Sequence, residues 1–219
     1  VNTRLSHQRT RIKVCGLTEV DNLLAVESCG VDALGFVFYP HSPRAVTVER
    51  AVDLVQALGP LTQRVGLFVN ASLATIESVL SAVPLSVLQF HGDETAEHCE
   101  AFGLPYFKAF RMKDGFALDA AMAAHPRAAG FLLDAYQPGV PGGTGAQFNW
   151  DRVPQQAPRP LLLAGGLSAD NVGRAIAKTG VYGVDVSGGV EVAPGIKDIE
   201  KVRALVAAVK AADHARCTL

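Results

Sequence analysis

Val184-Asp185-Val186-Ser187-Gly188-Gly189-Val190-Glu191 is the stretch whose reading decides the fold. An apolar run enters it from Val181, an acid interrupts the run at Asp185, and the run breaks at Ser187-Gly188-Gly189. Helix-like sequence is expected to resume at Ile196. A strand that ends in small residues ahead of a helix leaves backbone N–H groups beside the positive end of the helix dipole. That arrangement favours an anion, phosphate above all. Two upstream stretches repeat the pattern: Leu161-Leu162-Leu163-Ala164-Gly165-Gly166 and Pro141-Gly142-Gly143-Thr144-Gly145. Together they predict one phosphate held by three loops, with the chemistry placed beside it.

Working outward, short β-rich runs alternate with helix-period segments along the whole chain. Strands are expected at 11–15, 33–38, 64–69, 86–90, 106–110, 129–133, 160–163 and 182–186. Thr18 is read as the N-cap of the first helix, which runs to Ser28 and closes near Gly30. Later helices are expected from Thr47 or Val48 to Leu58, from a cap at Asn70 or Ser72 to Ala82, and over 95–102 and 114–124. A short one is expected over 149–153, then one from a Ser168 cap to Lys178 and one over 199–211. Eight strand–helix units with continuous apolar strands indicate an all-parallel sheet covered by helices. An open doubly wound sheet places its main glycine loop after the first strand. Here the glycine loops follow strands six, seven and eight, where barrels bind phosphate. The expectation is α/β: a single-domain (β/α)8 TIM barrel over 11–219, with residues 1–10 as a frayed N-terminal extension lacking a signal-peptide core.

The 219 residues are 49% hydrophobic and 19% charged, enough for a substantial core and unlike a disordered chain. A net charge of −1 gives no basic footprint for nucleic acid or an acidic membrane surface. No apolar run reaches the roughly 20 residues needed to span a bilayer. Cys15, Cys29, Cys99 and Cys217 form no C-x-x-C pair, and the six histidines form no H-x-x-x-H or H-E-x-x-H pattern. No metal site is assigned, and reduced thiols point to a cytoplasmic enzyme rather than a disulfide framework.

Seven motifs, in order, carry a resemblance. They are Lys13-Val14-Cys15-Gly16-Leu17-Thr18, Ser42-Pro43-Arg44, Leu88-Gln89-Phe90-His91-Gly92-Asp93-Glu94, Leu133-Asp134, Gly142-Gly143-Thr144-Gly145, Leu163-Ala164-Gly165-Gly166-Leu167 and Asp185-Val186-Ser187-Gly188-Gly189-Val190-Glu191. The set resembles the N-(5′-phosphoribosyl)anthranilate isomerases. That resemblance implies a (β/α)8 barrel that performs an Amadori rearrangement in tryptophan biosynthesis, without metal or organic cofactor. The substrate implied is phosphoribosylanthranilate, and a monomer or homodimer is expected. The resemblance implies Cys15 as general base and Asp134 as general acid, with Arg44 and Asp185 near the anthranilate and His91 lining the pocket. The phosphate site falls on Gly143, Thr144 and Gly145, on Gly165 and Gly166, and on Ser187, Gly188 and Gly189. Two departures stand out. Ser187-Gly188-Gly189 replaces a common Ser-Ser-Gly and removes one hydroxyl donor, and Phe148-Asn149-Trp150 replaces Phe-Asp-Trp.

Read from the residues alone, furanose opening needs a proton at the ring oxygen. The resulting Schiff base then loses a proton from the neighbouring carbon, and ketonisation follows. One acid and one base on opposite sides of the sugar suffice. Cys15 and Asp134 end strands one and six, which puts both on the catalytic rim. A free thiol titrates near about 8.5, so it needs help to act as a base. Lys13 is two residues back on the same strand face, and an inward ammonium there would favour the thiolate. Taken singly, each residue has a plainer reading: Cys15 as a small core side chain, Asp134 as a cap, Arg44 as a solvated surface group, His91 as a satisfied rim residue. Lys13 alone could be a structural partner for Glu191 or another interior acid. The rivals are sister phosphate-binding barrels and a non-catalytic phosphosugar binder. The histidine-pathway isomerase has an aspartate where this chain has Cys15, and indole-glycerol-phosphate synthase has a catalytic lysine and an extra N-terminal helix. Binding alone would need neither Cys15 nor Asp134.

Overall fold

The computed structural model describes residues 9–135 and 149–217. Eight parallel strands close on themselves in sequence order: β1 Arg11–Cys15, β2 Ala33–Val37, β3 Gln63–Phe68, β4 Val87–Phe90, β5 Tyr106–Arg111, β6 Gly130–Asp134, β7 Leu161–Leu163 and β8 Gly183–Val186. The seam is the β1–β8 pairing, which sets Lys13 opposite Asp185 and Val14 opposite Val186. Helices alternate with the strands: α1 Val20–Glu27, α2 Val48–Ala57, α3 Leu73–Ala82, α4 Ala96–Glu100, α5 Leu118–Ala123, α6 Ala169–Thr179 and α7 Ile199–Cys217. A short 3-10 turn, Trp150–Arg152, stands between β6 and β7. The expected (β/α)8 barrel is the observed fold. No helix among the described residues is long and apolar enough to cross a membrane.

Strand alternation divides the interior in two. Ile12, Val14, Leu88, Phe90, Val184 and Val186 belong to the main apolar core with residues of the helices. The opposite parity carries Lys13, Cys15, Gln89, His91, Asp134 and Asp185, all buried. Successive residues point to opposite faces of a strand, so the polar set converges inside the barrel while the apolar set seals the helices onto it. The C-terminal helix ties down the start of β1: buried Asp213 of α7 accepts from Thr10 N and Thr10 Oγ1, each at 2.6 Å, and from Arg216 Nη2 at 2.8 Å.

Several local expectations are corrected. Thr18 does not cap α1: Glu19 occupies the N-cap without a side-chain bond, because the Thr18 hydroxyl donates to Gly195 O at 3.1 Å. Ser72, not Asn70, caps α3 by accepting from Thr75 N, while Asn70 adopts a left-handed φ of 51°. The sequence after β8 is no helix at Ile196. Gly188–Val190 forms a 3-10 turn, and Glu191–Ala193 (β9) pairs with Ile196–Lys197 (β10) in a small hairpin. Gly195 turns that hairpin at φ +90°, a conformation that excludes helix for an ordinary residue.

Candidate active site

The C-terminal ends of the strands open into one cavity. Cys15, Arg44, His91, Asp134 and Asp185 line it, as do Gly165, Gly166, Ser187, Gly188 and Gly189. Gly143, Thr144 and Gly145 lie outside the described residues.

Cys15 and Lys13 project inward together from β1, and Gly35 of β2 makes the room. A methyl group at position 35 would lie 2.7 Å from Cys15 Sγ and 3.1 Å from Lys13 Nζ. Lys13 Nζ donates to Asp185 Oδ1 at 2.8 Å, so its interior acid is Asp185 and not Glu191. Burial works against the Lys13 charge, but Asp185 and the thiol outweigh it and raise the lysine. Burial also pushes the Cys15 thiol up; Lys13 pulls it down and Asp185 opposes Lys13. Asp185 is itself raised by burial, with Lys13 counteracting. The thiol is thus protonated at neutrality in the free protein, with an ammonium beside it that lowers the cost of ionisation.

Across the barrel, Asp134 ends β6 with Oδ1 accepting from Ala135 N at 2.9 Å. Its Oδ2 lies 3.2 Å from His91 Nε2, close in distance but without hydrogen-bond direction. Gln89, fully buried below, places Nε2 3.3 Å from His91 Nδ1. Arg44 does not point freely into solvent. Its Nε and Nη2 grip Glu191 at 2.8 and 2.7 Å, and its aliphatic stem lies where a side chain on Gly16 would collide.

The glycine loops interlock. Gly165 and Gly166 have φ of +84° and +61°, and a side chain on Gly165 would strike Ala135 at 2.6 Å. A side chain on Gly189 would meet Leu167 O at 2.0 Å. The ends of β6, β7 and β8 are therefore packed so closely that only hydrogen fits between them. Ser187 Oγ turns away to donate to Cys15 O at 2.9 Å.

Sequence reasoning missed two residues of this neighbourhood. Lys197, on β10, buries its ammonium against Cys15 O and Glu191, each at 2.6 Å. Gln89 sits inside the barrel under His91. Its position two residues before His91 on one strand was the available signal; Lys197, on a two-residue strand, offered none.

A family profile described as N-(5'phosphoribosyl)anthranilate (PRA) isomerase matches residues 12–208. The N-(5'-phosphoribosyl)anthranilate isomerase of Pseudomonas aeruginosa (strain UCBPP-PA14) is 56% identical over 200 residues, covering 91% of this chain and 95% of that protein. That of Cellvibrio japonicus (strain Ueda107) is 54% identical over 195 residues, covering 89% and 91%. The crystal structure of phosphoribosyl anthranilate isomerase from Thermotoga maritima superposes with a TM-score of 0.85 at 34% identity, covering 92% of this chain and 99% of that one. A phosphoribosyl anthranilate isomerase in complex with reduced 1-(o-carboxyphenylamino)-1-deoxyribulose 5-phosphate superposes with a TM-score of 0.82 at 34% identity and the same coverage. The barrel, the rim thiol and carboxyl, and these likenesses agree: the chain belongs to the N-(5′-phosphoribosyl)anthranilate isomerase family.

Proposed function

We propose that this chain converts N-(5-phosphoribosyl)anthranilate to 1-(2-carboxyphenylamino)-1-deoxyribulose 5-phosphate with Cys15 as general base and Asp134 as general acid. The observation that carries the assignment is that a buried thiol and a buried carboxyl, from β1 and β6, face one cavity floored by glycine loops. Asp134 delivers a proton to the furanose ring oxygen and the ring opens to the Schiff base. Cys15, ionised with the help of Lys13, then removes the proton from the neighbouring carbon, leaving the enolamine that ketonises to product. His91, with Nε2 3.2 Å from Asp134 Oδ2, lines the pocket beside the acid. The backbone N–H groups of the β7 and β8 loops, at Gly165, Gly166, Gly188 and Gly189, take the phosphate, with Gly143, Thr144 and Gly145 as the third arm. Asp185 and Arg44 face the anthranilate side of the substrate.

Cys15, Cys29 and Cys99 are unpaired thiols, which supports a cytoplasmic setting for this reading. The test follows the loss of phosphoribosylanthranilate fluorescence with purified protein. Turnover above background is expected, and its absence removes the proposal.

A further inference from the structure

Glu191 ends the strand-eight motif, and the acid–base chemistry above uses neither it nor Lys197. The pairing of β1 with β8 stops at Val14 and Val186, because β8 turns into the 3-10 segment after that point. The carbonyl of Cys15 thus lies beyond the ladder, and two side chains serve it instead: Ser187 Oγ at 2.9 Å and Lys197 Nζ at 2.6 Å. The Lys197 ammonium has three hydrogens and three acceptors, Cys15 O, Ser187 Oγ at 3.3 Å and Glu191 Oε1 at 2.6 Å, and its side chain is 0% exposed. Glu191 is shared, since Arg44 grips the same carboxylate through Nε and Nη2, and Gly195 N donates to Oε1 at 3.1 Å.

Charge counting around the thiol makes Lys197 distinctive. The groups facing Cys15 are Lys13 on its own strand, Asp185 from β8, Lys197 from β10 and Arg44 from the segment after β2. Asp185 neutralises Lys13. The single Glu191 carboxylate must serve both Lys197 and Arg44, so one positive charge is left over beside the thiol. Burial pulls Lys197 down from its ordinary range, and the hydrogen bond and charge of Glu191 are the largest influences opposing that.

We propose that Lys197, held by Glu191, is a positioning residue for the thiol: it fixes the end of β1 through the Cys15 carbonyl and supplies the surplus positive charge that favours the thiolate. The proposal rests on the reading of Cys15 as base. It extends the thiol's electrostatic partners from Lys13 to a residue 182 positions away in sequence.

Three variants of the full chain separate the two contributions. Lys197→Met removes bond and charge, Lys197→Gln keeps a donor without charge, and Lys197→Arg keeps the charge. Alkylation of Cys15 by iodoacetamide across pH 6–10, read by mass mapping of its peptide, reports the thiol directly. Circular dichroism reports the fold. Lys197→Met and Lys197→Gln should move the alkylation midpoint up by about one pH unit, with alkylation about tenfold slower near pH 8. Turnover should fall by a similar factor, and Lys197→Arg should recover most of both. If Lys197→Met does not fold, the Gln and Arg variants carry the same comparison. Wild-type midpoints in folded Lys197→Gln or Lys197→Met overturn the proposal, as does an Arg variant no better than Gln. Undiminished turnover in Cys15→Ala instead removes the base reading, and the alkylation result still stands separately.

Discussion

Lys13 Nζ donates to Asp185 Oδ1 at 2.8 Å across the seam where β1 meets β8, and both side chains are buried. A pair in this position has two functions, closing the barrel electrostatically and placing an ammonium beside the Cys15 thiol. Removing one member leaves the other as an unpaired buried charge, which costs about 3–5 kcal/mol. Lys13→Met should therefore lower the urea midpoint and shift Cys15 ionisation to higher pH. Adding Asp185→Asn should recover part of the stability, because the orphaned carboxylate is gone, and should bring the thiol part of the way back, because Asp185 opposes its ionisation. Urea unfolding and the pH dependence of Cys15 alkylation measure both effects. A thiol profile unchanged in Lys13→Met would rule out Lys13 as its activator.

Cys15→Ala and Asp134→Asn test the proton-transfer pair. Each should reduce turnover by about 10² or more, with the KM changed far less, since neither side chain builds the phosphate loops. The pH dependence has a definite sign. Burial raises the thiol, so the free protein holds mostly the protonated form at neutrality, and kcat/KM should climb as pH rises toward the thiol's titration. A pH–rate profile that is flat from pH 7 to 9 would argue that Cys15 is not the base.

Gly189→Ala probes the phosphate loops without touching the acid or base. The added methyl would sit 2.0 Å from Leu167 O, a backbone atom that cannot swing aside as a side-chain tip could. The β8 loop must then separate from the β7 loop, so the N–H groups proposed to take the phosphate are moved apart. KM should rise at least tenfold, and inhibition by inorganic phosphate should weaken in proportion. Steady-state kinetics with added phosphate would show it; unchanged inhibition places the anion elsewhere.

Much of this was legible because β-strand parity is rigid. Once Cys15 is placed inward, Lys13 follows, and the same logic on β4 puts Gln89 and His91 inside and on β6 puts Asp134 there. Parity cannot say which acid a lysine will meet. Lys13 pairs with Asp185 because barrel register sets them opposite, whereas Glu191 lies past the end of β8 and turns toward Arg44 and Lys197. The β9–β10 hairpin was invisible for a different reason. Strands of three and two residues around Pro194-Gly195 are too short to display a period, and contacts from distant segments, Thr18 to Gly195 and Asn22 to Lys197, help to stabilise them. Likewise α7 runs six residues beyond the expected end at Ala211, through Asp213 and Arg216, whose partner Thr10 lies about 200 positions away.

Alkaline stability offers a check that is independent of the active site. Cys99, in α4, is buried in the apolar core, and that burial pushes its thiol up to about 12. A group whose folded value lies above its unfolded value contributes stability that is intact below the unfolded value and is lost as pH rises through the folded one. The unfolded thiol titrates near about 8.5, so the loss should begin there and continue toward 12, at about 1.4 kcal/mol per pH unit. Tyr106, raised by burial to about 12 from 10.0, adds to the loss over the upper part of that window. Cys99→Ala should cost roughly 1 kcal/mol at pH 7 through the small void left by the sulfur. It should also make the decline between pH 8.5 and 10 shallower, because Tyr106 does not titrate in either state until the top of that range. Thermal unfolding of both proteins at half-unit steps from pH 7 to 11 measures the difference. Parallel curves would mean that Cys99 ionises with little penalty and that α4 opens before the rest of the barrel unfolds.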